Sequence, residues 1–380
     1  MNVPLYKQIY ESVLEQINQG ELKQGGKIPS EKDLAEQFSV SRITSKKALD
    51  LLAQENVIKR VQGKGSFVHE SYEGFAHSMD HMENEGEEKL PLIGLVISGF
   101  TDDYGADLIK AIEGHAARYQ AQLLIKFTYE KKEKEKRAIK ELVQAGADGI
   151  IILPIHGEHY NPKILELVLN NFPIVLLDRY LRGIPASYIS TDNTRAAKEA
   201  TEYLMSLGHQ HIAYITPSYD GTTVLEDRMK GYQLAHSQQY MQLYPHNFFV
   251  NATDLAYQMN QGAGVDKEIE EMKQFIRFNP EVTAFIVCQH SLAKILAYVI
   301  QSMKKSVPED YSIICFDSPR TFNGKPTFTH IAQREKEMGA KAVNLLMAQI
   351  NGASEVVTEV LDFDLVEGLS TAPLRKRVKN

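Results

Sequence analysis

Apolar residues in the first 54 positions recur every three or four residues in three successive segments. That spacing puts the apolar side chains on one side of a helix, so the pattern predicts three amphipathic helices. Gly20 ends the first helix, and Gly25 and Gly26 mark a turn after it. The runs VIKRV and SFV follow the third helix and flank the turn QGKG. Their β-prone composition and the glycines between them predict a hairpin.

Two serines mark where the second and third helices begin. A helical pattern follows Ser30 and another follows Ser41, and serine is a favourable N-cap. Asp33 lies three residues after Ser30, as in a capping box. Only the three residues SVS join the two helices, which is the layout of a helix-turn-helix. In that unit the first residues of the second helix enter the major groove of DNA, and Arg42 lies there.

The third helix separates its charges from its apolar residues. At about 100° per residue, Ala48, Leu51 and Leu52 fall on one side, and Arg42 and Lys46 fall on the other. An arginine guanidinium can bond guanine O6 and N7 together, or it can hold a phosphate. A solvated helix face would explain surface lysines equally well. The glycine-rich hairpin with a lysine at its tip favours a winged helix-turn-helix domain over that alternative.

Charge is unevenly distributed along the chain. The net charge is −7, yet residues 1–68 carry a net charge of +2. Residues 69–90 hold seven acidic residues and one lysine with little apolar periodicity, which is typical of a flexible linker. Such an asymmetry is a reason to consider an anionic partner for the first segment, but a solvated surface explains an excess of +2 equally well, so the positions of the charges must decide.

From Leu92 onward, short apolar runs alternate with helical patterns. Unbroken apolar strands separated by helices indicate parallel sheets that are covered on both faces. The sequence therefore predicts an α/β main part with two doubly wound parallel-sheet lobes, preceded by an N-terminal α+β winged helix-turn-helix domain. The predicted boundaries are a DNA-binding domain at 1–69, an acidic linker at 70–91, an effector-binding and dimerisation domain at 92–370 and a tail at 371–380.

Several predicted strands end in residues that can bind a ligand. Ligands of doubly wound sheets bind beyond the carboxyl ends of the strands. Aspartate, arginine, glutamine and histidine supply donors and acceptors, and aromatic rings supply a flat apolar face, a mixture that suits a sugar. Strand-end aspartates that only cap the next helix are the alternative. The candidate effector-binding residues from these positions are Ser98, Phe100, Tyr104, Asp178, Arg179, Arg228, Gln289, His290 and Asp317.

The stretches PSEKDLAEQFSVSRITSKKALDLL and VQGKGSFV lie in the first domain. They resemble the winged-helix domain of GntR-type bacterial transcription regulators, and the resemblance covers residues 4–68. Two positions depart from the family pattern. Ser45 replaces valine, which we expect to loosen the packing, and Asn56 replaces glycine. The resemblance implies that the DNA contacts are Ser30, Glu31, Arg42, Thr44, Lys46, Gln62, Gly63, Lys64 and Gly65.

The large domain contains ADGIIILP, PIVLLDR, STDNTRAAKEATEYLMSLGHQHIAYI, DRMKGYQLA, VPEDYSIICFD and HIAQREKEMGAKAV. These stretches resemble the sugar-responsive core of LacI/GalR-type repressors, which is similar to periplasmic sugar-binding proteins. The resemblance implies the same effector-binding residues and adds Gln333 and Glu335. It departs after TAFIVC, where Gln289 and His290 replace the usual asparagine and aspartate.

The two resemblances together imply a transcriptional repressor of carbohydrate-utilisation genes. We expect a homodimer to bind a palindromic double-stranded DNA operator and a small sugar effector to release it. The pairing of domains is similar to that of arabinose-responsive repressors of Gram-positive bacteria, so L-arabinose is the leading candidate effector. A phosphorylated sugar is one alternative, and a cytoplasmic sugar-binding protein without operator function is another.

Signals for enzymes, metals and membranes are weak. The motif HGEH at 156–159 follows a strand, whereas zincin chemistry requires its histidines on one helix, and no GxSxG or Walker motif occurs. We therefore expect no catalysis, no metal and no cofactor. The two cysteines are too few for a disulfide framework, and no apolar run reaches the roughly 18 residues of a membrane helix. A cytoplasmic location is the expectation that follows.

Overall fold

The computed structural model describes residues 4–18, 21–54, 57–61, 64–69, 90–101, 103–157, 161–217, 221–250, 266–319 and 324–374. The chain divides into two compact units, Met1–Lys89 and Leu90–Asn380. Within the described ranges, no helix has the length and apolar content that crossing a membrane would require.

The described part of the first unit contains three helices and a two-stranded hairpin, which confirms the predicted elements. Its elements are α1 (Leu5–Asn18), α2 (Glu31–Gln37), α3 (Arg42–Gln54), β1 (Ile58–Val61) and β2 (Gly65–Val68). The strands are antiparallel, and the register pairs Ile58 with Val68 and Val61 with Gly65. Ser30 caps α2, and the capping box with Asp33 is present.

The core of the first unit lies between the three helices and the hairpin. It contains Ile9, Val13, Leu34, Ala48, Leu49, Leu52 and Val68, each at most 1% exposed. The prediction that Leu51 faces inward is wrong in detail, because Leu49 occupies the core and Leu51 is only half-buried. Leu5, at the first position of α1, is 54% exposed.

Ser45 is a buried hydroxyl with two hydrogen bonds. Its Oγ donates to the carbonyl oxygen of Glu31 at 2.7 Å, and it also lies 3.1 Å from the carbonyl oxygen of Arg42. The first of these bonds ties α3 to the start of α2. The polar group that replaces valine is therefore satisfied, and the loosened packing expected at this position stays a prediction.

The second unit contains two lobes, each built on a six-stranded sheet, as predicted. The first lobe has strand order β13-β7-β6-β5-β3-β4, and every pair in it is parallel. Its strands are β3 (Leu92–Ile97), β4 (Gln122–Phe127), β5 (Gly149–Ile152), β6 (Ile174–Leu177), β7 (Ser187–Thr191) and β13 (Thr358–Leu361). Its helices are α4 (Ala106–Arg118), α5 (Lys132–Gln144), α6 (Pro162–Leu169) and α11 (Glu335–Ile350).

The second lobe has strand order β14-β12-β11-β10-β8-β9, and only β14 runs antiparallel to its neighbour. Its strands are β8 (Ile212–Ile215), β9 (Phe248–Phe249), β10 (Ala284–Val287), β11 (Ser312–Phe316), β12 (Thr329–Gln333) and β14 (Phe363–Val366). Its α-helices are α7 (Asn193–Ser206), α8 (Thr223–Gln238), α9 (Asp266–Phe278) and α10 (His290–Ser302). Apolar clusters cover both faces of each sheet.

Three chain crossings connect the lobes side by side. They follow β7, β12 and β13. The backbone N–H of Asp192 donates to the carbonyl oxygen of Leu361 at 3.0 Å, and the Thr191 hydroxyl donates to Gln333 Oε1 at 2.8 Å. Because the three connections are adjacent, one lobe can rotate relative to the other about the line through them. We call these connections the hinge, and they lie beside the carboxyl ends of the strands.

Candidate functional site

The outward side of α3 centres on an apolar residue. Ser45, Ala48, Leu49 and Leu52 are the buried residues of this helix. At about 100° per residue, Ile43 lies on the side of the helix opposite these four buried residues. Its side chain is 81% exposed. The sequence analysis did not include Ile43 among the DNA contacts, although its position next to Arg42 was a usable signal.

Three of the predicted contact residues are held by neighbours within the first unit. The Ser30 hydroxyl donates to Asp33 Oδ2 at 2.8 Å, and this bond lowers the pKa of Asp33. The Thr44 hydroxyl lies 2.9 Å from Ser41 Oγ. The Glu31 carboxylate pairs with the Arg60 guanidinium, which also pairs with Asp50. The two ion pairs of Arg60 connect the hairpin to α2 and α3 and neutralise the charge of Arg60.

Three of the predicted contact residues are cations that are available to an external anion. Arg42, Lys46 and Lys64 are exposed, and none of them forms an ion pair within the described part of the unit. Gln62 and Gly63 lie outside the described residues. Gly65 has φ +114°, and a Cβ there would lie 3.0 Å from Lys27 Cε. The exposed Lys27 therefore lies along the hairpin, a position that the sequence analysis missed.

A cavity of about 1110 Å³ lies between the two lobes of the second unit. Ten of the eleven predicted effector-binding residues line it: Ser98, Phe100, Tyr104, Asp178, Arg179, Arg228, Gln289, His290, Asp317 and Gln333. Glu335 is not among the lining residues. Its Oε2 accepts hydrogen bonds from the backbone N–H groups of Gly105 and Leu108, at 2.8 and 3.1 Å. Glu335 therefore holds the start of α4, next to the loop that carries Phe100 and Tyr104.

Arg228 is fixed in orientation at the floor of the cavity. Its Nε donates to Asn193 Oδ1 at 2.7 Å, and its Nη1 donates to the carbonyl oxygen of Cys288 at 2.8 Å. The guanidinium carbon lies 3.7 Å from the ring centroid of Phe316. The side chain is only 5% exposed. A buried arginine with so many contacts can bind a ligand through its remaining N–H groups with little loss of entropy.

Asp178 and Asp317 follow strands of opposite lobes in the same left-handed conformation, with φ +60° and +61°. Asp178 is 5% exposed, and its Oδ1 has no hydrogen-bond partner. Burial raises the pKa of Asp178, while Arg179 and Arg228 oppose the rise. Burial also raises the pKa of Asp317, to about 8, although Arg228 opposes it. An acceptor without a partner in a buried site points to a ligand that supplies donors.

Glu130, His156 and Arg179 form a linked cluster in the first lobe. Arg179 Nη1 donates to Glu130 Oε1 at 3.1 Å, and Nη2 lies 2.7 Å from His156 Nε2. Burial alone would raise the pKa of Glu130, but Arg179 and a hydrogen bond from the backbone N–H of His156 lower it to about 2. Burial and Arg179 lower the pKa of His156 to about 3, so this histidine is neutral. The sequence analysis missed Glu130 as a site residue, although it follows β4 by three positions.

The lobes contact each other at several points around the cavity. His290 Nδ1 lies 3.6 Å from Asp103 Oδ2, and the backbone N–H of Gly157 donates to the Thr222 hydroxyl at 2.9 Å. Burial would raise the pKa of Asp103, but the neighbouring His290 and Thr101 side chains lower it. These contacts join residues of the two lobes, so opening the hinge would break them. Within the described ranges, no group of His, Cys, Asp and Glu side chains has the arrangement of a metal site.

The raised pKa of Asp317 has a measurable consequence for stability. An unfolded aspartate has a pKa of about 3.9, so between about pH 4 and about pH 8 unfolding releases a proton and stability falls as the pH rises. Asp317→Asn removes this proton release and tolerates the left-handed φ. For each pH unit between about pH 5 and about pH 7, we expect the free energy of unfolding of the variant to rise by up to about 1.4 kcal/mol relative to that of the wild type. Urea unfolding at three pH values measures the difference, and parallel pH profiles would contradict it.

Comparison with known proteins finds a match for each of the two units. The profile of "Bacterial regulatory proteins, gntR family" matches residues 5–68, and that of "Periplasmic binding protein-like domain" matches residues 201–371. The "Arabinose metabolism transcriptional repressor" of Geobacillus stearothermophilus is 28% identical over 358 residues, which cover 93% of each chain. The chain combines a GntR-type DNA-binding domain with a periplasmic-binding-protein-like domain, the two parts of a transcription regulator. The ribose operon repressor of Halalkalibacterium halodurans is 27% identical to this regulator. The match covers 68% of the present chain and 72% of the repressor.

Solved structures resemble the regulator in fold. The transcription regulator CcpA of Lactococcus lactis has a TM-score of 0.65 at 22% identity, covering 74% of this chain and 100% of that chain. A LacI family regulator from Enterococcus faecium, solved with bound ribose, has a TM-score of 0.60 at 23% identity, covering 75% of this chain and 100% of that chain. The predicted fold class, with two parallel-sheet lobes after a helix-turn-helix domain, is confirmed. The relatives are regulators of transcription, not enzymes.

Proposed function

We propose that this regulator is a repressor that binds a palindromic operator as a homodimer and leaves it when a neutral sugar enters the cavity between the lobes. One observation carries the ligand assignment. Asp178 offers a buried oxygen without a hydrogen-bond partner in the same cavity as the fixed guanidinium of Arg228. Sugar hydroxyls both donate and accept, so they can satisfy the two groups together. The names of the arabinose and ribose repressors make L-arabinose the leading candidate.

The charges around the cavity favour a neutral sugar over a sugar phosphate. Arg179 is already paired with Glu130, and Arg228 acts on both Asp178 and Asp317. Among the described lining residues, four carboxyl groups face three Arg or Lys side chains: Asp103, Glu130, Asp178 and Asp317 against Arg179, Arg228 and Lys294. A phosphate dianion would meet the ionised carboxylates of Asp103 and Glu130, whose pKa values are lowered, and Arg179 is already paired with Glu130.

Release from DNA requires that the sugar binds one hinge position more tightly than the other. A ligand with equal affinity for both positions would shift nothing. Groups from the two lobes line the cavity, so a bound sugar favours the position in which Asp178 and Asp317 reach it together. Coupling of this kind is typically about 1–3 kcal/mol, or roughly 5- to 150-fold in operator affinity.

Ile43 is expected to contact a thymine methyl group in the major groove. It is the exposed apolar residue at the groove-entering end of α3, and apolar side chains read the thymine C5-methyl. Replacing each thymine of the bound duplex in turn by deoxyuridine removes only that methyl. The wild type should lose about fourfold in affinity at one position per half-site, equivalent to about 0.8 kcal/mol for one buried methyl. At that position, deoxyuridine should not weaken the binding of Ile43→Ala any further. It should weaken the binding of Lys46→Ala as much as it weakens that of the wild type. If no position separates the variants, Ile43 does not read thymine.

Fluorescence anisotropy with a duplex that the purified protein selects from a random pool tests the function as a whole. We expect the selected duplex to bind at least roughly 1,000-fold more tightly than a random one, with one dimer per duplex. A panel of pentoses, hexoses and their phosphates is then added at saturation. Release by L-arabinose or another neutral sugar supports the proposal, and release only by a phosphate favours the phosphorylated effector. A protein that binds sugar and prefers no duplex would be a sugar-binding protein without operator function.

A further inference from the structure

The cavity between the lobes has a buried polar part and an exposed aromatic part. Asp178, Arg228 and His290 are each 5% exposed, so they lie deep in the cavity. Phe100 and Tyr298, which also line it, are each 58% exposed and therefore lie at its mouth. The groups proposed to bind the sugar hydroxyls are in the deep part. The residues at the mouth have no role in that proposal.

The first lobe contributes a row of aromatic rings to the mouth. Phe127 lies between Phe100 and Tyr129, and each neighbouring ring centroid is 6.1 Å away. Backbone bonds hold this row in place. The N–H of Tyr129 donates to the carbonyl oxygen of Ser98 at 2.9 Å, and the N–H of Thr128 donates to that of Ile97 at 2.9 Å. The rings are thus presented by a rigid strand end, and an apolar patch beside a polar site is typical of a ligand-binding groove.

The second lobe supplies apolar groups to the same cavity. Ile269 on α9 and Ile295 and Tyr298 on α10 line it, together with Lys294. Ile295 is 6% exposed, which anchors the helix face, while Tyr298 remains in water. The mouth is therefore lined from both lobes, and a ligand that fills it would be held between aromatic side chains of opposite lobes.

The size of the cavity argues for a ligand of more than one ring. Pockets for drug-sized ligands measure about 300–1,000 Å³, and this cavity measures about 1110 Å³. One sugar ring is smaller than a drug-sized molecule, so among the deep polar groups it would leave the mouth filled with water. The exposed rings would then stay in contact with water. The complex would lack the roughly 25 cal/mol that each Å² of buried apolar surface contributes to binding.

We infer that the effector is a disaccharide or a longer glycoside, with one ring among Asp178, Arg228 and Asp317 and a second ring between Phe100 and Tyr298. The inference rests on the proposed function and specifies its ligand. A second ring against the aromatic side chains adds apolar burial, and because it touches both lobes it also strengthens the preference for one hinge position. The monosaccharide is then a weak ligand of the same deep site.

Calorimetric titration of the full chain with matched sugar pairs tests this inference. The pairs are L-arabinose and arabinobiose, D-xylose and xylobiose, and D-glucose and cellobiose. For the pair that binds, we expect the disaccharide Kd to be at least tenfold lower than that of the monosaccharide. Phe100→Ala and Tyr298→Ala should each raise the disaccharide Kd at least threefold, and Tyr298→Ala should leave the monosaccharide Kd within twofold. Tyr240→Ala, at a side chain that is 97% exposed and outside the cavity lining, is the matched control and should change neither.

Three results would overturn the inference. A monosaccharide that binds as tightly as its disaccharide would place the whole ligand in the deep part. Variants at the mouth that weaken both sugars equally would show a general effect on the cavity. If no sugar of any pair binds, the proposed function fails at its ligand and this inference fails with it. Binding of a monosaccharide alone leaves the proposed function intact, so the two failures are distinguishable.

Discussion

Arg42→Ala is expected to weaken binding to the selected duplex by roughly 5- to 150-fold, or about 1–3 kcal/mol, and to relax the preference for one base pair per half-site. The guanidinium lies at the exposed, groove-entering end of α3 and forms no ion pair within the described part of its unit. Its full set of donors is therefore available to guanine. Anisotropy titrations on the selected duplex and on single-base variants of it measure the loss.

The comparison that decides base reading for Arg42 uses random DNA. A phosphate contact contributes equally to the affinity for every DNA sequence. Lys46→Ala should therefore weaken binding to the selected and the random duplex by similar factors. Arg42→Ala should lose much more affinity for the selected duplex than for the random duplex. If Arg42→Ala loses the same factor on both duplexes, the arginine holds the backbone and does not read a base. Thermal unfolding should be unchanged in both variants because both side chains are exposed.

Asp178→Asn is expected to raise the Kd of the tightest-binding sugar by roughly 10- to 150-fold and to leave operator affinity without sugar unchanged. A hydrogen bond to a charged acceptor is worth about 1.5–3 kcal/mol, and the variant replaces one carboxylate oxygen by a donor. Asparagine keeps the volume and tolerates the φ of +60°, so the backbone at the end of β6 is retained. Calorimetric titration with the sugar, followed by anisotropy with the duplex, measures the two effects separately.

A surface aspartate of the second lobe provides the control for Asp178. Asp310 bonds to Lys305 at 2.9 Å and to the backbone N–H of Ser306 at 2.9 Å, and it is not among the residues that line the cavity. Asp310→Asn should change neither the sugar affinity nor the operator affinity. If Asp178→Asn still binds the sugar as the wild type does and still releases DNA, the ligand does not use this carboxylate. The location proposed for the deep site would then be wrong.

Local chemistry explains why the elements of the first unit were predictable. A cap such as Ser30 and the spacing of apolar residues act within one or two helical turns, so they can be read from adjacent letters. The error at Leu49 and Leu51 has a different origin. Helical periodicity defines a face only to within about one residue, and the neighbouring elements decide which side of that face is covered. Likewise, the pairing of Arg60 with Glu31 and Asp50 joins separate elements and leaves no local pattern in the sequence.

The cavity between the lobes was predictable in position but not in its connections. Parallel strands carry their carboxyl ends to one edge, so ten of the eleven proposed residues meet there. The sequence did not reveal that Glu335 bonds the start of α4 instead of lining the cavity. It also did not reveal that Glu130 neutralises Arg179. Both are contacts between residues that are distant along the chain.

The sequence by itself determined the kinds of elements, the alternation that builds two parallel sheets and the residue types placed at the strand ends, because these depend on local spacing and composition. Only the tertiary structure decided which charges remain available. It pairs Arg60 and Arg179 internally, leaves Arg42 exposed and leaves one oxygen of Asp178 without a partner. The reason is physical: desolvation and pairing depend on distances between groups that are far apart in the chain, and only the folded packing sets those distances.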